Sequence, residues 1–240
     1  MSAFVFDYFP LSVADTLAMV LFLSAWAGYT YYAKYRAKRS HTLSSAMRRH
    51  REQWMREMLR RDNRISDATI IGNLERVVTF FASTTILILA GLLTAIFASE
   101  NLLSVLSNMH LSESVTKEAI QAKLFVMALI FVYAFFKFTW SVREHIFSSI
   151  LIGSAPQANA LTTLSEEQQE RVALQAAKMS DLANHDFNHG LRAYYFALAL
   201  LGWLVNVWLL LFATVWVIAV LYGREFNSKA LRLLREDDAG

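Results

Sequence analysis

AYYFALALLGWLVNVWLLLFATVWVIAVLY, residues 193–222, runs for thirty positions without a charged side chain. A helix rises about 1.5 Å per residue and the hydrocarbon core of a bilayer is about 30 Å thick, so about 20 apolar residues suffice for one crossing. Three further apolar runs of spanning length precede it, at residues 11–33, 74–98 and 124–142. Together they read as an all-α polytopic membrane protein with four transmembrane helices, forming a single integral membrane domain over residues 1–240.

Composition points the same way. Hydrophobic residues make up 55% of the chain, with only two prolines and eight glycines. That is too few turn residues for a strand-rich fold, and none of the runs alternates at period two as the strands of a lipid-spanning barrel do. Cysteine is absent, which excludes disulfides, thiolate metal sites and a cysteine nucleophile. The first run is not expected to be a cleaved leader, because a dense basic block follows it and no positive stretch precedes it.

Residues 34–73 hold eleven of the 23 Lys and Arg, whereas the loop from Ser99 to Glu118 holds only Lys117. The positive-inside rule puts the basic block in the cytoplasm, so the expected location is the cell inner membrane with the N-terminus outside. Four crossings then put the C-terminus outside as well. This conflicts with the tail itself, which carries Arg224, Lys229, Arg232 and Arg235.

Two cytoplasmic amphipathic helices are expected, at about 42–65 and 165–190. In the first, Leu43, Met47, Trp54, Met58 and Ile65 share one face, and Arg48, Arg49, Arg56 and Arg60 lie opposite. One reading rests this helix on the inner leaflet, with Trp54 dipped into the interface and the arginines at anionic headgroups. The other packs it on a neighbouring helix or subunit. A net charge of only +3 and the adjoining apolar run make lipid a better polyanion than nucleic acid. In the second helix, Ser165 and Gln168 have capping-box spacing. Asp181, His185 and His189 recur there at intervals of four, which is metal-ligand spacing but also the pattern of a solvated face. No metal and no cofactor are expected.

Polar residues within the apolar runs are few, and lipid makes each of them informative. Lys137 either snorkels toward headgroups or pairs with Glu75 at matched depth. Asn206 reads as a hydrogen-bonding tie between helices or as the lining of a polar path. Thr79 and Ser83 make the second run hydroxyl-rich, and Gly91 with Ala95 permits close helix contact.

Four longer stretches carry a family resemblance: REQWMREMLRRDNRISDATIIGNLERVVTFFASTTILILAGLL (51–93), FVYAFFKFTWSVREHIFSSILIGSAP (131–156), NHGLRAYYFALALLGW (188–203) and LYGREFNSKALRLLR (221–235). From about residue 30 to about residue 235 the chain resembles the membrane family of domain of unknown function 599, found in bacteria and plants. The resemblance implies four spans and no established activity. It draws attention to Asp62, Asp67, Arg76, Phe81, Ser83, Thr84, Lys137, Trp140, Arg143, Asn188, Gly190, Arg192, Arg224 and Glu225.

Three function classes remain. The first expectation is a homo-oligomeric, channel-like conduit for ions or small solutes, with Lys137, Asn206 and the hydroxyls of the second run near the path. Four helices fill their own core, so such a path requires subunits around an axis. The alternative is a non-catalytic scaffold or accessory subunit that binds lipid and a larger membrane complex. The expected partners are membrane lipids, preferentially anionic, further copies of the chain and a membrane protein complex, with no nucleic acid. An enzyme is not expected, because no nucleophile elbow, phosphate-cradling Gly-rich loop, HExxH or paired-carboxylate constellation is present.

Overall fold

The computed structural model describes residues 11–39, 42–108 and 116–236, and every regular element among them is helical. In order they are α1 (Val13–Arg39), α2 (Leu43–Leu59), α3 (Ile65–Phe97), α4 (Ser99–Asn108), α5 (Lys117–Ser154), a short 3₁₀ helix (Ala158–Thr163), α6 (Glu166–Val205), α7 (Val207–Phe226) and α8 (Lys229–Glu236). Four stretches are long and apolar enough to cross a membrane: Val13–Arg36, Ile65–Phe97, Lys117–Ser154 and Val207–Leu234. The all-α membrane architecture read from hydropathy therefore stands, with different bounds for the last run.

The difference lies at Asn206, the one position between α6 and α7 that is not helical. Its backbone N–H still donates to Gly202 O at 3.0 Å, while its side-chain Oδ1 accepts the backbone N–H of Leu209 at 2.7 Å. Asn206 thus closes α6 and N-caps α7. The chain reverses there. A Cβ placed on Gly202 would lie 3.1 Å from the backbone carbonyl carbon of Leu209, whereas residues seven apart on one straight helix are about 10 Å apart. Farther along, Tyr222 stacks on Tyr32 at 6.4 Å while Arg192 sits 5.8 Å from the Tyr29 ring, so α7 has returned to the level of Arg192. Residues 193–222 are a helical hairpin and not the single crossing expected. The apolar run conceals this because an uncharged sequence looks the same to hydropathy whether the helix continues or doubles back.

The chain divides into two compact units. Unit 1 comprises Met1–Arg36, Thr85–Tyr133 and Arg192–Gly223. Its core is aromatic: Phe22 meets Phe196 edge-on at 5.7 Å, Trp26 stacks on Phe196 at 5.6 Å, and Phe131 meets Tyr194 at 5.1 Å. Thr85 and Tyr194 join their hydroxyls at 2.7 Å beside that cluster. A second cluster packs Ile120 and Leu124 of α5 against Leu92 and Ile96 of α3 and Leu103 of α4.

Unit 2 comprises Ala37–Thr84, Ala134–Leu191 and Arg224–Gly240. Thr42 and Ser45 form a reciprocal capping box at the start of α2, and Ser165 and Gln168 do the same for α6, as their spacing predicts. Met55, Met58 and Leu59 of α2 are buried against Ile71 of α3, Ile152 of α5 and Ala173, Ala176 and Ala177 of α6. Arg64 donates to the carbonyls of Ile152, Ala155 and Pro156, which caps the free C-terminal end of α5. Phe81, Phe138 and Phe187 form an aromatic triad with centroids 5.5–5.8 Å apart.

Because α7 returns, α8 packs on α2, and the backbone N–H of Ser44 donates to Glu225 at 3.3 Å. The tail and the basic block from Ala37 onward thus belong to one unit, which holds eighteen of the 23 Lys and Arg.

Two glycines sit where no side chain fits. A Cβ on Gly202 meets Leu209, and one on Gly190 lies 2.5 Å from the ring of Phe138, which is fully buried. We expect Gly202→Ala and Gly190→Ala each to destabilise the protein by about 1–3 kcal/mol despite the better helix propensity of alanine. Thermal unfolding in detergent checks this, with Gly91→Ala, where the added methyl meets nothing within 4 Å, as the neutral control.

Candidate functional site

In unit 2, α2, α3, α5 and α6 line a half-open cavity of about 440 Å³. α2 contributes Arg51 and Trp54, α3 contributes Leu74 and Val77, α5 contributes His145 and α6 contributes Ser180. Each arrives by helical periodicity: Arg51 and Trp54 lie one turn apart, as do Leu74 and Val77. The volume falls within the range of small-molecule sites, about 300–1,000 Å³.

The walls are mostly apolar, and besides His50 and Asn184 their polar groups fall into two kinds. Arg51 is ion-paired to Asp181 of α6. Burial pulls its guanidinium below the usual value, and the Asp181 carboxylate opposes that shift. Trp54 Nε1 donates to Asp67 Oδ1 at 2.6 Å, and Arg61 reaches the same oxygen at 2.6 Å. His145 Nδ1 and Ser180 Oγ are the second kind. Both atoms are buried, and neither has a hydrogen-bond partner. An orphaned buried polar atom costs about 1–3 kcal/mol, so two of them beside one cavity call for a reason.

The residues singled out from sequence do not converge here. Lys137 pairs with Asp186 of α6 at 3.0 Å, so the expected tie to Glu75 is corrected. A buried ammonium selects the carboxylate its helix packs against, and α5 meets α6 at that level. Asn206 caps a helix through its side chain and is exposed. Thr79 and Ser83 face outward. Asp181 is turned toward Arg51, while His185 and His189 face each other with Nε2 atoms 3.2 Å apart, so the three have no common focus. Among the described residues no group of three metal-ligating side chains converges.

The basic face of α2 is engaged in part with protein. Arg56 pairs with Glu170, Arg60 with Glu57 and Arg48 with Glu52, while Arg48 and Arg49 are exposed. The hydrogen bond from Arg56 holds the Glu170 carboxyl below its usual range. Trp54, read as an interfacial anchor, instead packs on the core of unit 2.

Sequence reading missed a charge cluster in unit 1. Asp15 of α1 and Lys123 of α5 pair at 3.0 Å, each almost fully buried. Trp203 Nε1 donates to Asp15 at 2.7 Å, Ser12 Oγ donates to its other oxygen at 2.7 Å, and Lys123 donates to the Trp203 carbonyl at 3.1 Å. The available signal was one acid and one base, each at the edge of an apolar run.

Residues 17–230 match the family described as "Protein of unknown function, DUF599". The chain belongs to that family. No curated protein and no solved structure matches it. Several positions that the DUF599 resemblance singled out prove to be packing positions. Asp67 is fully buried and holds Trp54, Phe81 belongs to the aromatic triad, Gly190 admits Phe138, and Arg143 lies over Trp140 at 5.3 Å.

The pairing of Lys137 has a direct test. Lys137→Met should destabilise the protein by about 1–3 kcal/mol by stranding a mostly buried carboxylate. Adding Asp186→Asn should recover most of that loss and adding Glu75→Gln none of it, read as coupling energies from chemical unfolding.

Proposed function

We propose that this chain is a non-catalytic accessory or scaffold protein of the inner membrane that holds lipid and protein partners. The single observation behind this reading is how its polar side chains are used. Lys137 and Lys123 are ion-paired within the protein, and Asn206 is a helix cap. The core of unit 1 is filled by aromatic rings. A water-filled path needs free polar groups along its wall, and these residues serve packing instead.

The orientation follows from charge. Residues 34–73 and the tail from Arg224 hold fifteen of the 23 Lys and Arg, so the positive-inside rule assigns α2, α8 and the C-terminus to the cytoplasm and the N-terminus, one crossing before the basic block, to the outside. The hairpin at Asn206 removes the conflict that a single last crossing created. In this orientation α2 lies on the side of the anionic headgroups, where a basic residue near the surface contributes about 1 kcal/mol. Further copies of the chain and a larger membrane complex are the protein partners.

One observation favours the conduit as a second reading. Thr79 and Ser83 face outward from α3, where an oligomer could turn them toward an axis. Solute flux separates the two. Proteoliposomes of the wild-type chain should pass no ion or small solute above the rate of empty vesicles. Flux that changes charge preference or rate on Thr79→Val and Ser83→Ala would replace the scaffold by the conduit. For orientation, reporters after Gly153 and at the C-terminus should both read cytoplasmic, and one inserted between Asn108 and Lys117 extracytoplasmic.

A further inference from the structure

We infer that His185 and His189 of α6 form a two-nitrogen site for a divalent transition-metal ion of the copper and zinc class, with water at its remaining positions. The site goes beyond the scaffold reading and does not depend on it. The two histidines are one helical turn apart, a spacing that puts both side chains on one face. Their Nε2 atoms lie 3.2 Å apart while their ring centroids lie 4.4 Å apart, so the rings lean together at their nitrogen ends. At that separation an ion held about 2.0–2.1 Å from each nitrogen sees them about 100° apart, between the right angle of an octahedral site and the tetrahedral angle.

The neighbouring groups leave Nε2 available. Asp186 Oδ1 lies 3.6 Å from His185 Nδ1, and the same oxygen accepts a hydrogen bond from Lys137 at 3.0 Å. A carboxylate beside one ring nitrogen draws the proton to it and leaves the lone pair on the other, the arrangement in which a histidine binds metal. In the metal-free protein the Nε2 proton of one ring lies between the two nitrogens. When an ion takes both lone pairs, that proton moves to Nδ1 of its own ring, and both imidazoles stay neutral. The His185 side chain is 49% exposed, so a hydrated ion reaches the pair. Asp181, the third member of the sequence pattern, is paired with Arg51 and supplies no ligand. Imidazole suits copper, nickel and zinc, whereas magnesium and calcium take oxygen.

The test uses the full chain in detergent, without an affinity tag, titrated with Cu²⁺, Zn²⁺ and Mg²⁺. A single equivalent of Cu²⁺ should bind saturably and show the electron paramagnetic resonance splitting of two nitrogens. Zn²⁺ should displace it at higher concentration, in the usual order of affinities, and Mg²⁺ should not. His185→Ala and His189→Ala should each weaken Cu²⁺ binding about tenfold or more, since a lost ligand costs at least as much as a lost partner of a ligand. The double change should weaken it little further, because one imidazole alone no longer chelates. His185→Ala, at a half-exposed position, carries the test if His189→Ala fails to fold. The four other histidines, at positions 41, 50, 110 and 145, set the background, which is read from the double variant. Copper held by fewer than two nitrogens, equal binding by the wild type and the variants, or displacement by Mg²⁺ as readily as by Zn²⁺ overturns the site and leaves a hydrogen-bonded histidine pair only. Solute flux and reporter orientation do not involve these histidines, so that outcome leaves the scaffold reading in place.

Discussion

At Asn206 the backbone of α7 turns back so closely on α6 that Leu209 lies against Gly202, where any side chain would collide. Within an apolar environment a chain reversal is tolerated only if its freed amides and carbonyls find partners. Here the Asn206 amide bonds back to Gly202, its side chain takes the Leu209 amide, and its carbonyl accepts from Leu210 at 3.3 Å. One asparagine thus lets a thirty-residue uncharged run fold into two antiparallel pieces. Everything C-terminal depends on it. α7 returns, Tyr222 stacks on Tyr32, and α8 reaches α2.

A second constraint is the handling of charge away from water. Isolated ions are excluded from apolar surroundings, so each must be paired or moved to the edge. In unit 1 the answer is a compact group in which Asp15 receives Lys123, Trp203 and Ser12. In unit 2 Lys137 with Asp186 joins α5 to α6, Arg51 with Asp181 joins α2 to α6, and Arg61, between α2 and α3, meets Asp67 of α3. Replacing Lys137, Asp181 or Arg61 alone leaves the more buried partner of its pair stranded. Such pairs define which helices meet at which level, while contributing little net attraction.

Pairing is not complete in unit 2. Among its described residues Asp67 Oδ2, Glu144 Oε2, His145 Nδ1 and Ser180 Oγ are buried without a hydrogen-bond partner, and the last two belong to residues that line the cavity. The alanines of α6 at 173, 176 and 177 let the lower part of α2 pack tightly. Nearer Trp54 the larger side chains of α3 and α6 stand apart and leave open volume.

The helical class, the approximate positions of the apolar segments, the capping box at Ser165 and the concentration of positive charge were legible in the sequence, because each is set by residues within a few positions of one another, whereas the box of Thr42 with Ser45, which lacks the usual Glu or Gln, was not. Hydropathy reports the environment a segment prefers, and capping reports where a helix begins. Neither reports what lies across from it. The reversal at Asn206 was hidden because its cause is a steric contact between Gly202 and Leu209 that exists only once the chain has turned. Lys137 was open in the sequence between snorkelling and a tie to Glu75, and only the packing of α5 on α6 brought it to Asp186. The cavity was equally invisible, since four helices contribute to it and an empty volume is the shape left by side chains that do not meet.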